Sequence, residues 1–325
     1  MSGFILTLLA IALGLALTVA AYLGHAAWRT RKLAAQAVRD VPMAGELQPV
    51  PGGMIHFVDS GPRDAPPIVL IHGLSGQLQH FTYGIAPRLS DVFRVIAIDR
   101  PGSGYSDRRG AADATLETQA RMIAEFLSAR GIEKPLIVGH SLGGAVALAL
   151  ALQRPDDISG LALLCPLTHP TPEPPAIFRA LMIKTPALRR LLGHTIAVPM
   201  ALRTAKEVLD AVFAPEDWPQ DFLERGGGAL GLRPRGFIAA SEDMVASQTE
   251  IADQAARYAG ELKLPGAVLF GAEDQLLDPE AQGKAMTDYG WSFETLPGRG
   301  HMIPITAPED CAAFIARAAR SMRGE

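Results

Sequence analysis

Hydrophobic and polar positions divide the chain into three regimes. Residues 2–28 carry no Asp, Glu, Lys or Arg, and 4–23 are almost wholly apolar. That is enough for a helix of ~20 residues spanning ~30 Å, the thickness of a bilayer core. From 54 onward, short β-branched runs alternate with helical patterns. Residues 54–58, 68–71, 95–98, 136–138 and 161–164 read as strands. Residues 115–130 read as a helix with Met122, Ile123, Phe126 and Leu127 on one face and Gly131 closing it, and 145–152 as a second helix bounded by Pro155. Such alternation implies a largely parallel sheet with helices on both faces, an α/β fold.

The alternation breaks at Cys165. Five prolines fall between Pro166 and Pro175, and 177–264 then reads as several helices interrupted at Pro186, Pro199 and Gly226 to Gly228, with no strand. Sheet runs resume at 267–270 and 291–296. A final helix passes through Cys311, Phe314 and Ile315, with Thr306 and Glu309 suggesting a capping box and Pro308 in the first turn. The expected organisation is a transmembrane anchor at 1–28, a helical stem running into a linker at 29–51 with Pro42, Gly45, Pro49 and Pro51, a core at 52–166 and 245–325, and a helical cap at 167–244.

A cleaved signal peptide competes with the anchor, and Gly24-His25-Ala26 offers a small-x-small site for it. The segment lacks the charged leading region such peptides carry. Arg29, Arg31, Lys32 and Arg39 follow the apolar stretch, which by the positive-inside rule places the body of the protein in the cytoplasm. Cleavage would instead leave it secreted or periplasmic.

Composition narrows the function. An apolar fraction of 48% with 20% charged residues fits a globular protein with a large core, and a net charge of −4 gives no basic surface for nucleic acid. The two cysteines, Cys165 and Cys311, are too few for a disulfide scaffold and read as buried reduced thiols. The eight histidines are scattered without a His-x-x-x-His pair, so neither a metal site nor a cofactor is implied. Gly102-x-Gly104 is not a dinucleotide loop, because Asp107 stands where the third glycine would be.

The chemistry concentrates at 135–144, Pro-Leu-Ile-Val-Gly-His-Ser-Leu-Gly-Gly. A buried strand runs here into a helix through a turn so tight that Gly139 and Gly143 must lack side chains. Ser141 is thereby pushed out at the apex, near backbone N–H groups of the helix N-terminus. This Gly-x-Ser-x-Gly elbow, set between strand and helix, resembles the serine branch of the α/β-hydrolase superfamily.

The resemblance implies a mostly parallel sheet of about eight strands and a helical cap. It implies an oxyanion hole from the N–H groups of Leu142 and of Leu74, which follows His72-Gly73. It also implies chain order Ser, acid, His, met by Ser141, Asp274 and His301. Asp274 fits the pattern from Gly271 to Pro279, with Glu273 and Asp278 as alternatives. Asp99 and its loop are expected to be structural, His72 to brace the Gly73 loop, and His140 to act only as packing. The cap's apolar residues Phe178, Leu181, Met182, Leu188, Leu191 and Leu192 are expected mainly to pack, with some of them roofing the site.

Serine at the elbow, where dehalogenases and epoxide hydrolases carry Asp, favours carbonyl substrates. The expected activity is cleavage of a lipophilic carboxylic ester, a small-molecule partner beside the membrane, through an acyl-enzyme. A C–C bond hydrolase and an inactive membrane-tethered binding module are the alternatives. A reporter fused at the C-terminus is expected to be active in the cytoplasm, and activity solely outside it would contradict the orientation.

Overall fold

The computed structural model describes residues 2–324. Its strands are β1 (Glu46–Val50), β2 (Gly53–Ser60), β3 (Pro67–Ile71), β4 (Arg94–Ile98), β5 (Leu136–His140), β6 (Gly160–Leu164), β7 (Gly266–Gly271) and β8 (Ser292–Leu296). They form one eight-stranded sheet in the order β1-β2-β4-β3-β5-β6-β7-β8. β2 pairs antiparallel with β1 and β4, and every other pairing is parallel. The central runs, such as Val69 to Ile71, Ile137, Val138 and Leu161 to Leu164, are fully buried. Burial on both faces explains why they read as continuous apolar runs without alternation.

β1 lies inside the segment expected to be linker. It pairs with β2 across a turn in which Gly52 adopts φ +107. Pro49 is tolerated because β1 is the sheet edge, where its missing N–H leaves no neighbour unpaired. Most of the strand faces solvent, so no apolar pattern announces it.

The longer helices begin with α1 (Ser2–Asp40), α2 (Leu116–Ala129), capped by Thr115, whose side chain accepts from the Thr118 N–H, and α3 (Leu142–Gln153). All of Leu142 to Leu152 is buried, which accounts for a helix apolar around its whole circumference. α1 runs on from the apolar stretch into the expected helical stem; at ~1.5 Å per residue it is ~58 Å long. Its apolar portion has mean hydropathy 2.6, is exposed throughout, and is long enough to cross a membrane. The later turns dock on the protein: Ala26, Thr30 and Ala37 are buried, Thr30 Oγ1 donates to the Thr195 carbonyl (2.5 Å), and the Tyr105 hydroxyl donates to the Val41 carbonyl (2.6 Å).

Between β6 and β7 lie α4 (Pro186–His194), α5 (Ala197–Arg203), α6 (Ala205–Phe213) and α7 (Pro234–Ala256). The boundary expected at 244 falls in the middle of α7. One helix serves both regions: its first half packs on α4 and α5, while Gln254 further on donates to the Ala145 carbonyl of α3 (3.0 Å). The last helix, α8 (Pro308–Ser321), has Ala307 at its N-cap with no side-chain cap. The expected capping box is absent because Thr306 ends the preceding short helix, one residue before the N-cap, and its Oγ1 donates to Glu216 (3.0 Å).

Candidate active site

The tight turn after β5 holds Ser141 at φ 54, ψ −124, a conformation costing a non-glycine residue about 1–3 kcal/mol. Three backbone bonds fix it: Ser141 N–H to the Leu164 carbonyl (3.1 Å), and the Ser141 carbonyl accepting from Gly144 (2.8 Å) and Leu167 (2.9 Å). A Cβ on Gly139 would come within 2.6 Å of the Gly143 carbonyl, and one on Gly143 would overlap the Ile71 and His72 carbonyls. Opposite the elbow, a Cβ on Gly73 would lie 2.8 Å from Ser141 Cβ. The loop carrying Leu74 therefore runs directly against the serine.

β7 and β8 deliver the other two groups. The Asp274 carboxylate accepts from the backbone N–H groups of Leu276 (2.8 Å) and Leu277 (3.0 Å) through one oxygen and from His301 Nδ1 (2.7 Å) through the other. With Nδ1 as donor, Nε2 of the neutral ring is an acceptor. The alternative acids are placed differently: Asp278 caps the short helix Pro279–Gln282 through the N–H groups of Glu280 and Ala281, and Glu273 is exposed.

Ser141, His301, Leu74 and Leu142 border one cavity of about 650 Å³. The Ser141 hydroxyl makes no hydrogen bond among the described residues, and neither do the Leu74 and Leu142 N–H groups. Hydrogen bonds of this kind commonly tighten only when substrate is bound.

Several neighbours make contacts that the sequence did not signal. Glu216, from the segment between β6 and β7, accepts from Arg299 (2.6 Å), the Gly300 N–H (3.0 Å) and Thr306, pinning the loop on either side of His301. His140 does more than pack: its Nε2 donates to the His301 carbonyl (3.1 Å), with the two rings 5.0 Å apart. Cys165, at φ 40, accepts from the Gly271 N–H (3.4 Å) and lies against Asp274. Ligand atoms of Cys165, Asp274 and His301 lie within 4.8 Å of one another. Burial and the neighbouring carboxylate push the thiol well above its usual range, and a protonated thiol is a poor metal ligand. Both cysteines are buried and unbridged.

Asp99 ties its loop together, accepting from His56 Nδ1 (2.6 Å) and from the backbone N–H groups of Leu78 (2.7 Å) and Tyr105 (2.7 Å). His72 bonds to the Gly73 carbonyl (2.8 Å) and thus braces that loop. Of the cap's apolar residues, Phe178, Leu181 and Leu192 line the cavity, while Leu188 and Leu191 are half-exposed on the outside. Part of this apolar face therefore borders the cavity, as expected, and part does not.

Residues 66–308 match the model of the alpha/beta hydrolase fold family, and the chain belongs to that family of enzymes. A monoacylglycerol lipase, abhd6-B of Xenopus laevis, is 25% identical over 78% of this chain and 75% of its own length. The acetyltransferase component of the acetoin cleaving system of Cupriavidus necator is 35% identical, over 39% of this chain and only 33% of its own length. Two solved structures share the fold. An esterase from Thermogutta terrifontis has TM-score 0.69 and 24% identity, covering 86% of this chain and 99% of its own. A bacterial membrane phospholipase A has TM-score 0.63 and 20% identity, covering 100% of both chains.

Burial keeps the imidazoles around the elbow neutral. It lowers His72 and His140 well below the usual histidine range, with Arg100 adding to the effect at His72 and His301 at His140, and it lowers His80 to about 4. An unfolded histidine takes up its proton near pH 6.5, so between 6.5 and 4 the unfolded chain binds more protons than the native one. Stability present above pH 6.5 is therefore lost as the pH falls, by on the order of 3 kcal/mol for His80 alone. The urea midpoint should drop across this window, and His80→Gln should shallow the drop. A midpoint flat from pH 7 to 4.5 would contradict the burial of neutral rings.

Proposed function

We propose that this protein is a membrane-anchored serine hydrolase that cleaves lipophilic carboxylic esters through an acyl-enzyme. The observation that carries the reading is the Asp274–His301 pair facing, with Ser141, the end of a cavity roofed by apolar cap residues. His301 Nε2 takes the Ser141 proton as Oγ bonds to the ester carbonyl carbon. The resulting oxyanion is held by the Leu74 and Leu142 N–H groups, the second aided by the partial positive charge of the α3 N-terminus. As the tetrahedral species collapses, the alcohol C–O bond breaks and the alkoxide takes the proton from His301. Water then attacks the acyl carbon, giving its proton to His301, and Ser141 recovers its own as the acid leaves. Asp274 fixes the His301 tautomer and stabilises its charged form.

Substrate class follows from the walls of the cavity. Each acyl CH₂ moved from water onto Phe178, Leu181 and their neighbours gains about 0.8 kcal/mol. Residues 167–244 act as the cap that excludes water from this region, with α7 continuing into the core. The continuity of α1 through Gly24 to Ala26 into its docked stem supports a retained anchor rather than a cleaved peptide. The names of the relatives, a monoacylglycerol lipase and a membrane phospholipase among them, agree with a lipid ester beside a bilayer.

The test is hydrolysis of p-nitrophenyl esters of graded chain length. kcat/KM should rise by up to about fourfold per CH₂ until the cavity is filled, and Ser141→Ala should lower kcat by about 10³ or more. A rate independent of chain length would remove the lipophilic assignment. A Ser141→Ala protein as active as wild type would remove the serine mechanism.

A further inference from the structure

We propose that Arg100 is a positioning residue for the oxyanion hole, acting through the Gly73–Leu74 peptide bond. This rests on the acyl-transfer reading above, in which the Leu74 N–H receives the oxyanion. In a planar trans peptide the carbonyl and the following N–H point in opposite directions. Whatever grips the Gly73 carbonyl from behind therefore aims the Leu74 N–H forward.

That carbonyl accepts three donors: His72 Nδ1 (2.8 Å), Arg100 Nη2 (3.1 Å) and the Gly76 N–H (3.2 Å). Arg100 also donates from Nε to the His72 carbonyl (2.9 Å), and its backbone N–H donates to His72 Nε2 (2.9 Å). The second contact makes Nε2 the acceptor of the ring and so leaves the proton on Nδ1, where it meets Gly73. A single residue thus sets the tautomer of His72 and holds two successive carbonyls of the loop.

The guanidinium is fully buried, and its remaining arm, Nη1, donates to Gln119 Oε1 (2.6 Å) and Asp243 Oδ2 (2.8 Å). Asp243 lies on α7, so the charge that stabilises the loop is neutralised from the helix shared by cap and core. A charged donor on a carbonyl polarises the whole peptide and strengthens the opposite N–H as a donor. The other oxyanion peptide has the same arrangement without a charge, since the Ser141 carbonyl behind Leu142 takes two backbone donors. Lysine cannot replace Arg100, because one ammonium cannot span two carbonyls and a carboxylate in the geometry a planar fork provides.

The test uses the full-length protein and Arg100→Lys, which keeps the charge facing Asp243. A neutral pair, Arg100→Gln with Asp243→Asn, serves if the lysine variant does not fold. Arg100→Lys should lower kcat about tenfold or more, short of the roughly 10²–10³ for losing an oxyanion donor outright, with KM within about threefold of wild type. A trifluoromethyl ketone, which forms a tetrahedral adduct with Ser141, should weaken in step with kcat.

The Leu74 amide proton supplies a readout independent of turnover. Pairing carbonyl-¹³C glycine with ¹⁵N leucine isolates the few Gly–Leu peptides, and the Leu74 resonance of the resting protein should move upfield in the variant. Folded variants with wild-type kcat, a loss confined to KM, or an unmoved Leu74 resonance would each overturn the proposal. If wild type cleaves no ester, the acyl-transfer reading fails, and the resonance still decides whether Arg100 polarises that peptide.

Discussion

Everything at the site depends on how closely three stretches of backbone approach one another at the carboxyl ends of β3 and β5. The elbow can sit against the β3 end only because Gly139, Gly143 and Gly73 carry no side chain; at each, a Cβ would collide with backbone or with Ser141. That approach sets the loop carrying Leu74 directly against the elbow, so that Leu74, Ser141 and Leu142 border the same cavity. It also stores strain, since Ser141 and Cys165 both adopt positive φ, and the buried sheet around them supplies the stability that keeps it.

The segment between β6 and β7 is tied to the rest of the molecule by buried charge. Asp243 on α7 accepts from both Arg100 and Arg108 (2.6 Å), while Arg108 also reaches Glu242 (3.0 Å) and Arg189 of α4 bonds Ser241 (3.0 Å). Buried pairs of this sort gain little net stability over apolar packing but tolerate no loss of a partner, so they fix one arrangement of the elements they join. Glu216 makes the equivalent tie to the His301 loop. The docked turns of α1 add a third, through Thr195 and the Ala229–Leu230 contact.

How much of this was legible in the sequence follows from where each signal resides. Parallel strands buried on both faces appear as unbroken apolar runs, and the elbow is local, written in ten consecutive residues. The family pattern then brought Asp274 and His301 together, and their 2.7 Å bond agrees with that reading. β1 escaped notice because an exposed edge strand has no hydrophobic period. The boundary placed at 244 falls inside a helix, because α7 continues wherever its backbone bonds do. Arg100 and Glu216 left no trace, and the bonds of His140 and Cys165, read only as packing and as a buried thiol, were not foreseen, because such partners are distant along the chain and a charge in a string of letters does not reveal whether it will be buried.

The central claim is that Ser141 is an activated nucleophile. The most direct measurement is mass mapping of the folded protein after exposure to diethyl p-nitrophenyl phosphate, which reacts with an activated serine hydroxyl and releases p-nitrophenol. The account predicts one diethylphosphoryl group per chain, on Ser141, formed together with one equivalent of p-nitrophenol. An unmodified Ser141 in protein that still turns over esters, or a label on some other residue, would contradict it.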